Sequence, residues 1–212
     1  MEPRLAAVNV AAAITASDSA DLGCTGIDKR SVAGRVAVRE NQVAGDHIAD
    51  LRHHGGYDQA IYAYAREDAA WWAGELRREV PPGAFGENLS TEGLDVTGAV
   101  IGERWAIGSA LLEVSSPRIP CRTFAGFWDV RDLIKRFTAR AWPGAYLRIL
   151  TEGEIGAGDA IEVTHRPAHG VTIGETFRCF TGERPLAQRV ASAEELPERH
   201  RDRLHGWLSQ PA

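Results

Sequence analysis

Lysine is nearly absent from this chain: Lys29 and Lys135 are the only two, and arginine carries the rest of the positive charge. The bias belongs to the whole chain, and it makes Lys29 conspicuous within its own segment. Cysteine is scarce as well. Cys24, Cys121 and Cys179 are widely separated, odd in number and free of any CxxC spacing, which argues against both a disulfide framework and a structural zinc site. Cysteine chemistry must then come from a single thiol. No apolar run approaches the roughly 18 to 20 residues of a membrane span, and no basic-then-apolar leader opens the chain. The expected location is therefore cytoplasmic, with no membrane partner. Excess charge is also missing. The net charge is -5 with both signs interspersed, which argues against a nucleic-acid polymer and favours small-molecule chemistry.

With 212 residues, 44% of them hydrophobic, the chain can bury a full core in one principal domain. Stretches rich in Val, Ile and Ala with period-two alternation recur at 34–39, 59–64, 99–107, 110–115, 145–150 and 160–164, bounded by Gly, Pro, Asp or Asn. Helical spacing appears at 66–78 and 129–139, the first opening on acidic residues and ending on arginines. After His165-Arg-Pro-Ala-His169-Gly170 the texture shifts to Glu, Arg, Ala and Leu. The expected organisation is a β-rich domain over 1–168 and a helical extension over 169–212, with every motif before His165.

Four constellations could carry chemistry. In Ser116-Pro117-Arg118-Ile119-Pro120-Cys121 two prolines hold the backbone extended and fix the thiol at a stiff, non-helical point. A nearby Arg118 guanidinium would favour the thiolate. The competing reading is a buried cysteine acting as a small hydrophobe. In His53-His54-Gly55-Gly56-Tyr57-Asp58 the glycines let backbone amides approach a ligand, and His54 could move a proton near neutral pH; the same residues would also make a plain turn. Adjacent histidines on a strand point to opposite faces, which disfavours zinc. Phe85-Gly86-Glu87-Asn88 sets a carboxylate beside an amide in an apolar context, where Glu87 could serve as acid or base; a loop or an ion pair is the alternative. Thr25-Gly26-Ile27-Asp28-Lys29-Arg30 offers two cations for a phosphate, although surface Lys-Arg pairs are common.

Taken in order, TGIDKR, GD, HHGGYDQA, FGENLS, PRIPC and GAYLRIL with GEIGAGD resemble the MOSC domain family, in its YiiM-like subgroup, over roughly residues 24–164. The resemblance implies a closed β-barrel with decorating helices, similar to the small barrel domain of pyruvate kinase, and a C-terminal helical extension. It implies a molybdenum-pterin cofactor (molybdopterin) with Cys121 as the metal's thiolate ligand. His54 and Glu87 would face the metal with Cys121 as catalytic groups. Lys29, Arg30 and Arg118 would hold the cofactor's phosphate, with Gly55, Gly56 and Asn88 completing the binding site. One soft thiolate suits a metal already held by the pterin's two sulfurs.

The activity implied is reduction of N-hydroxylated compounds, such as hydroxylaminopurine-type base analogues, amidoximes and hydroxamates, by N–O cleavage. The alternatives are a persulfide carrier at Cys121 and a non-enzymatic cofactor carrier. Pyridoxal phosphate is disfavoured, because neither lysine has a Schiff-base setting. The chain has neither iron–sulfur cysteines nor a flavin fingerprint, so a separate electron-donating reductase, a flavoprotein or iron–sulfur protein, is expected. A homodimer is compatible with this reading.

Overall fold

Successive side chains of a strand point to opposite faces, so the run Ile61-Tyr62-Ala63-Tyr64-Ala65 puts aliphatic residues on one face and tyrosines on the other. The computed structural model, which describes residues 2–52 and 54–209, realises that split as two buried layers. Ile61, Ala63 and Ala65 join an aliphatic core with Leu89, Leu112 and Leu147. Tyr62 and Tyr64 join an aromatic layer with Trp72, Phe85, Phe124 and Phe137. Burying a phenylalanine of this kind contributes about 1.5–3 kcal/mol, so each layer is a major source of stability.

The strands are β1 (Arg4–Val10), β2 (Thr15–Ala16), β3 (Cys24–Thr25), β4 (Arg30–Ser31), β5 (Arg35–Arg39), β6 (Gln42–Val43), β7 (Ile61–Ala65), β8 (Leu89–Glu92), β9 (Arg104–Ile107), β10 (Ala110–Pro117), β11 (Ala145–Thr151), β12 (Gly153–Gly156) and β13 (Ile161–His165). The helices are α1 (Arg66–Leu76), α2 (Arg122–Trp128), α3 (Leu133–Arg140), α4 (Ile173–Thr181), α5 (Ala187–Val190) and α6 (Glu198–Leu208). The main sheet runs β13-β9-β10-β11-β7-β8-β1-β4, with β12-β5-β6 and β2-β3 as smaller sheets. β7 and β8 pair in parallel, and the other main-sheet pairs are antiparallel.

The expected closed barrel does not form; this is a mixed α+β fold with open sheets. The main sheet has two ends, β13 and β4. The start of β1 meets the residues before β13 through one isolated bridge, Arg4 to Ala160, and bonds such as Leu5 N–H to Asp159 O at 2.8 Å. The reason is local. Residues 156–159 make a turn, with Asp159 N–H donating to Gly156 O at 3.1 Å and Gly158 at φ +93°, so no ladder continues across the gap. The strand expected over 99–107 begins only at Arg104, because Ile101-Gly102 is a turn and the buried Glu103 accepts Trp105 Nε1–H at 2.8 Å and Arg166 Nε–H at 2.6 Å.

The C-terminal helices share the core with the sheet. α4 is started by a Thr172–Glu175 capping box, and Ile173, Cys179, Val190 and Leu204 lie in the same aliphatic cluster as Leu112. No helix among the described residues is long and apolar enough to cross a membrane.

Candidate functional site

A cleft of about 470 Å³ opens at the edge of the aromatic layer. One wall is the stiff turn after β10. Arg118 and Pro120 are buried there, Ile119 is exposed, and Cys121 is half-buried with extended backbone (φ −124°, ψ 172°) just before α2. The flanking prolines restrict this backbone as the sequence requires. Cys121, Arg118, Tyr62 and Tyr146 line the same cleft.

Arg118 has an unusual setting for a buried cation. Its guanidinium lies 4.3 Å from the Phe124 ring centre and 5.5 Å from that of Tyr62, a favourable cation–π arrangement. Its Nη1 has no hydrogen-bond partner among the described residues. Burial works against its charge, yet Tyr62, Tyr146 and Cys121 around it more than offset this, and its pKa stands above the ordinary arginine value. Burial also pushes the Tyr62 phenol well up and that of Tyr146 up. Arg118 is thus a fixed positive charge with a donor to spare.

Lys29 has the opposite setting. It lies at the cleft floor in an ion pair with Asp46, both side chains buried. Asp46 also accepts Ala11 N–H at 2.8 Å and Asn88 Nδ2–H at 2.9 Å. Asn88 in turn donates to Asn9 O at 3.2 Å and accepts Tyr62 N–H at 3.2 Å, tying β1 to β7. Burial lowers the Lys29 pKa, with Asp46 and Glu87 pulling it back.

Glu87 is not among the residues that line the cleft. It is fully enclosed, accepting Gly83 N–H at 2.7 Å, Phe85 N–H at 3.0 Å and Ser90 Oγ–H at 2.8 Å. Burial raises its pKa against those donors. The carboxylate shapes the turn 83–86, where Gly83 (φ +84°) sits so close to Lys29 that a Cβ would lie 2.4 Å from Lys29 O. Its geometry is that of a residue positioning Lys29.

Arg30 faces away, exposed and paired with Asp28 at 2.8 Å. It borders a separate hollow of about 220 Å³ with Arg78 and Trp128. The structure therefore brings Lys29, Arg118, Asn88, Gly55, His54 and Cys121 to one cleft. Arg30, Glu87 and Gly56 are not on its wall. His54 is exposed, Gly55 adopts φ +76°, and His53 lies outside the described residues. Among the described residues no cluster of three or more His, Cys, Asp or Glu is arranged to hold a metal ion. Sequence reasoning missed Asp46, Tyr62, Tyr146, His47 and Cys24, all on the cleft wall. The Gly45-Asp46 pair was a visible signal for the first and the GAYLRIL motif for Tyr146; the other three stood in no distinctive pattern.

The MOSC domain pattern matches residues 50–162, more than half of the chain. YflK of Bacillus subtilis (strain 168) is 34% identical over 149 residues, covering 70% of this chain and 67% of that protein. A protein named reductase from Gibberella moniliformis is 30% identical over 179 residues, covering 81% of this chain and 31% of that protein. The crystal structure of YiiM from Geobacillus stearothermophilus superposes with a TM-score of 0.82 and 28% identity, covering 98% of this chain and all of that one. The chain belongs to the MOSC domain family, in its YiiM-like subgroup.

Proposed function

We propose that the cleft holds a molybdenum-pterin and that the protein is an oxidoreductase that reduces N-hydroxylated compounds by N–O cleavage. The observation that supports this best is the pairing, in one cleft, of a half-buried thiol at Cys121 with the buried, incompletely satisfied guanidinium of Arg118. The residues fit the group. A single soft thiolate is the donor expected for a metal whose other ligands come with the cofactor, and a buried cation with a spare donor suits the cofactor's phosphate. The chemistry that such a group supplies when bound is two-electron reduction with removal of an oxygen atom.

The chain's own residues would do the rest. Cys121 would hold the metal through Sγ, and Arg118 would bind the phosphate. The Lys29–Asp46–Asn88 network keeps the floor rigid and charge-balanced. His54, exposed on the cleft wall, would deliver a proton from its imidazole to the oxygen leaving the substrate, a role that the enclosed Glu87 is poorly placed to fill. Electrons would come from a separate flavoprotein or iron–sulfur reductase, and the relative named reductase is in keeping with such chemistry.

The test is metal and pterin analysis of protein from a host that makes the cofactor, together with reduction of a hydroxylaminopurine. Molybdenum near one per chain with turnover supports the reading. Bound metal with no turnover on any N-hydroxylated compound would point to a carrier, and an added sulfur on Cys121 without metal would point to sulfur transfer.

A further inference from the structure

Residues 12–28 form the longest stretch of the described chain without a buried side chain, and they make up part of the cleft wall. Ser19, Ala20, Asp21, Leu22, Cys24 and Thr25 line its wall. The segment is internally organised. β2 pairs with β3, Ser17 N–H donates to Gly23 O at 2.9 Å, and Gly23 N–H donates to Ala20 O at 2.9 Å. Its two ends are pinned to the same dipeptide. Ala11 N–H donates to Asp46 Oδ1 at 2.8 Å and His47 N–H to Ala11 O at 3.1 Å. On the returning side Gly26 approaches so closely that a Cβ would lie 2.0 Å from His47 O. A loop with adjoining ends and bonds of its own can move as one body about that base.

The tip is held by thin contacts. Among the described residues its hydrogen bonds to the rest of the chain all end on α2. Arg122 donates to Ser19 O at 3.2 Å and to Asp21 at 2.6 Å, and Thr123 Oγ1–H to Ser19 O at 3.4 Å. The Arg122–Asp21 pair is exposed, with side chains 69% and 74% accessible. Ser19 rests on the bare backbone of Gly126, where a Cβ would lie 2.2 Å from Ser19 Cβ.

We propose that residues 12–25 are a flap that opens about Ala11 and Gly26 to admit ligands to the Cys121 cleft, latched shut by Arg122–Asp21 and by the Ser19–Gly126 contact. Segments with few buried apolar contacts open at the lowest free-energy cost, and this segment, without a buried side chain, lines the same cleft as the thiol. The inference concerns access alone and stands whichever ligand the cleft takes.

The test follows the rate at which a neutral maleimide alkylates Cys121 in the full chain made in a host without pterin synthesis, with Cys24 and Cys179 resolved by peptide mass analysis. An exposed pair is weak, so Arg122→Ala should speed Cys121 alkylation roughly two- to fivefold. Gly126→Ala, which favours the helix but pushes Ser19 away, should speed it by roughly tenfold. The fully buried Cys179 should stay slow in both. Added salt should accelerate Cys121 alkylation in the parent and not in Arg122→Ala, because salt screens the latch. Losing or screening a cation beside a thiol would by itself slow alkylation, so acceleration reports opening. Cys121 rates that are equal in all three proteins, or that fall with salt in the parent, would overturn the proposal.

Discussion

Two buried cations reach the same cleft in opposite settings. Lys29 is compensated by Asp46, which Asn88 and the Ala11 amide also hold. Arg118 rests on the Tyr62 and Phe124 rings, and its Nη1 has no partner among the described residues. A buried charge is costly unless paired, so the difference bears on the proposed function: Lys29 has its counter-ion in Asp46, while Arg118 would take the anion of the proposed cofactor.

The largest effect is expected at Lys29. Lys29→Met strands Asp46 among buried groups, and losing one partner of a buried pair costs about 3–5 kcal/mol; urea denaturation should show it. Glu87→Gln comes next. The amide presents a donor where the carboxylate accepts three, and an unsatisfied buried group costs about 1–3 kcal/mol. The pH dependence has a definite sign. The Glu87 pKa is raised in the folded protein, so the folded chain binds this proton more tightly than the unfolded one. The associated stability is complete below the ordinary glutamate range of about 4.3 and is lost as pH rises through the folded value. Glu87→Gln should flatten that part of the stability–pH curve.

The smallest stability effect is expected at Arg118, despite its burial. Arg118→Met removes a charge with no carboxylate partner and keeps an apolar stem over the rings, so denaturation midpoints should shift by less than about 1 kcal/mol. Retention of pterin phosphate should collapse all the same. A loss of stability as large as that of Lys29→Met would erase the distinction between the two cations.

Much of the fold was legible where alternation is strong. β7, β10 and β11 sit on or within a residue or two of the expected stretches, and α1 ends at Leu76, close to its arginines. β8 was not legible, because Leu89-Ser-Thr-Glu reads as polar; Ser90 is buried only because Asn9 and Glu87 bond to it. α2 was missed for being seven residues long with a glycine inside. Whether the end strands of a sheet meet depends on turns such as 156–159, which alternation does not encode. At the site, PRIPC announced its rigidity directly. Adjacency in sequence pairs Arg30 with Lys29, but neighbours entering a strand face opposite ways, and Lys29 is buried where Arg30, at the start of β4, is exposed. Glu87 and Asn88 divide likewise between the turn and the cleft.

The proposed function rests above all on Cys121, beside Arg118, as the one thiol that would hold the metal. Its most direct test is molybdenum content per chain in the parent, Cys121→Ser and Cys24→Ser proteins, purified alike from a cofactor-competent host. Cys24 shares the cleft wall and is the fair control. Cys121→Ser is expected to fold normally and to lose its molybdenum, because a hard hydroxyl replaces a soft thiolate, while Cys24→Ser keeps it. Parental molybdenum in Cys121→Ser would rule out thiolate ligation by this residue.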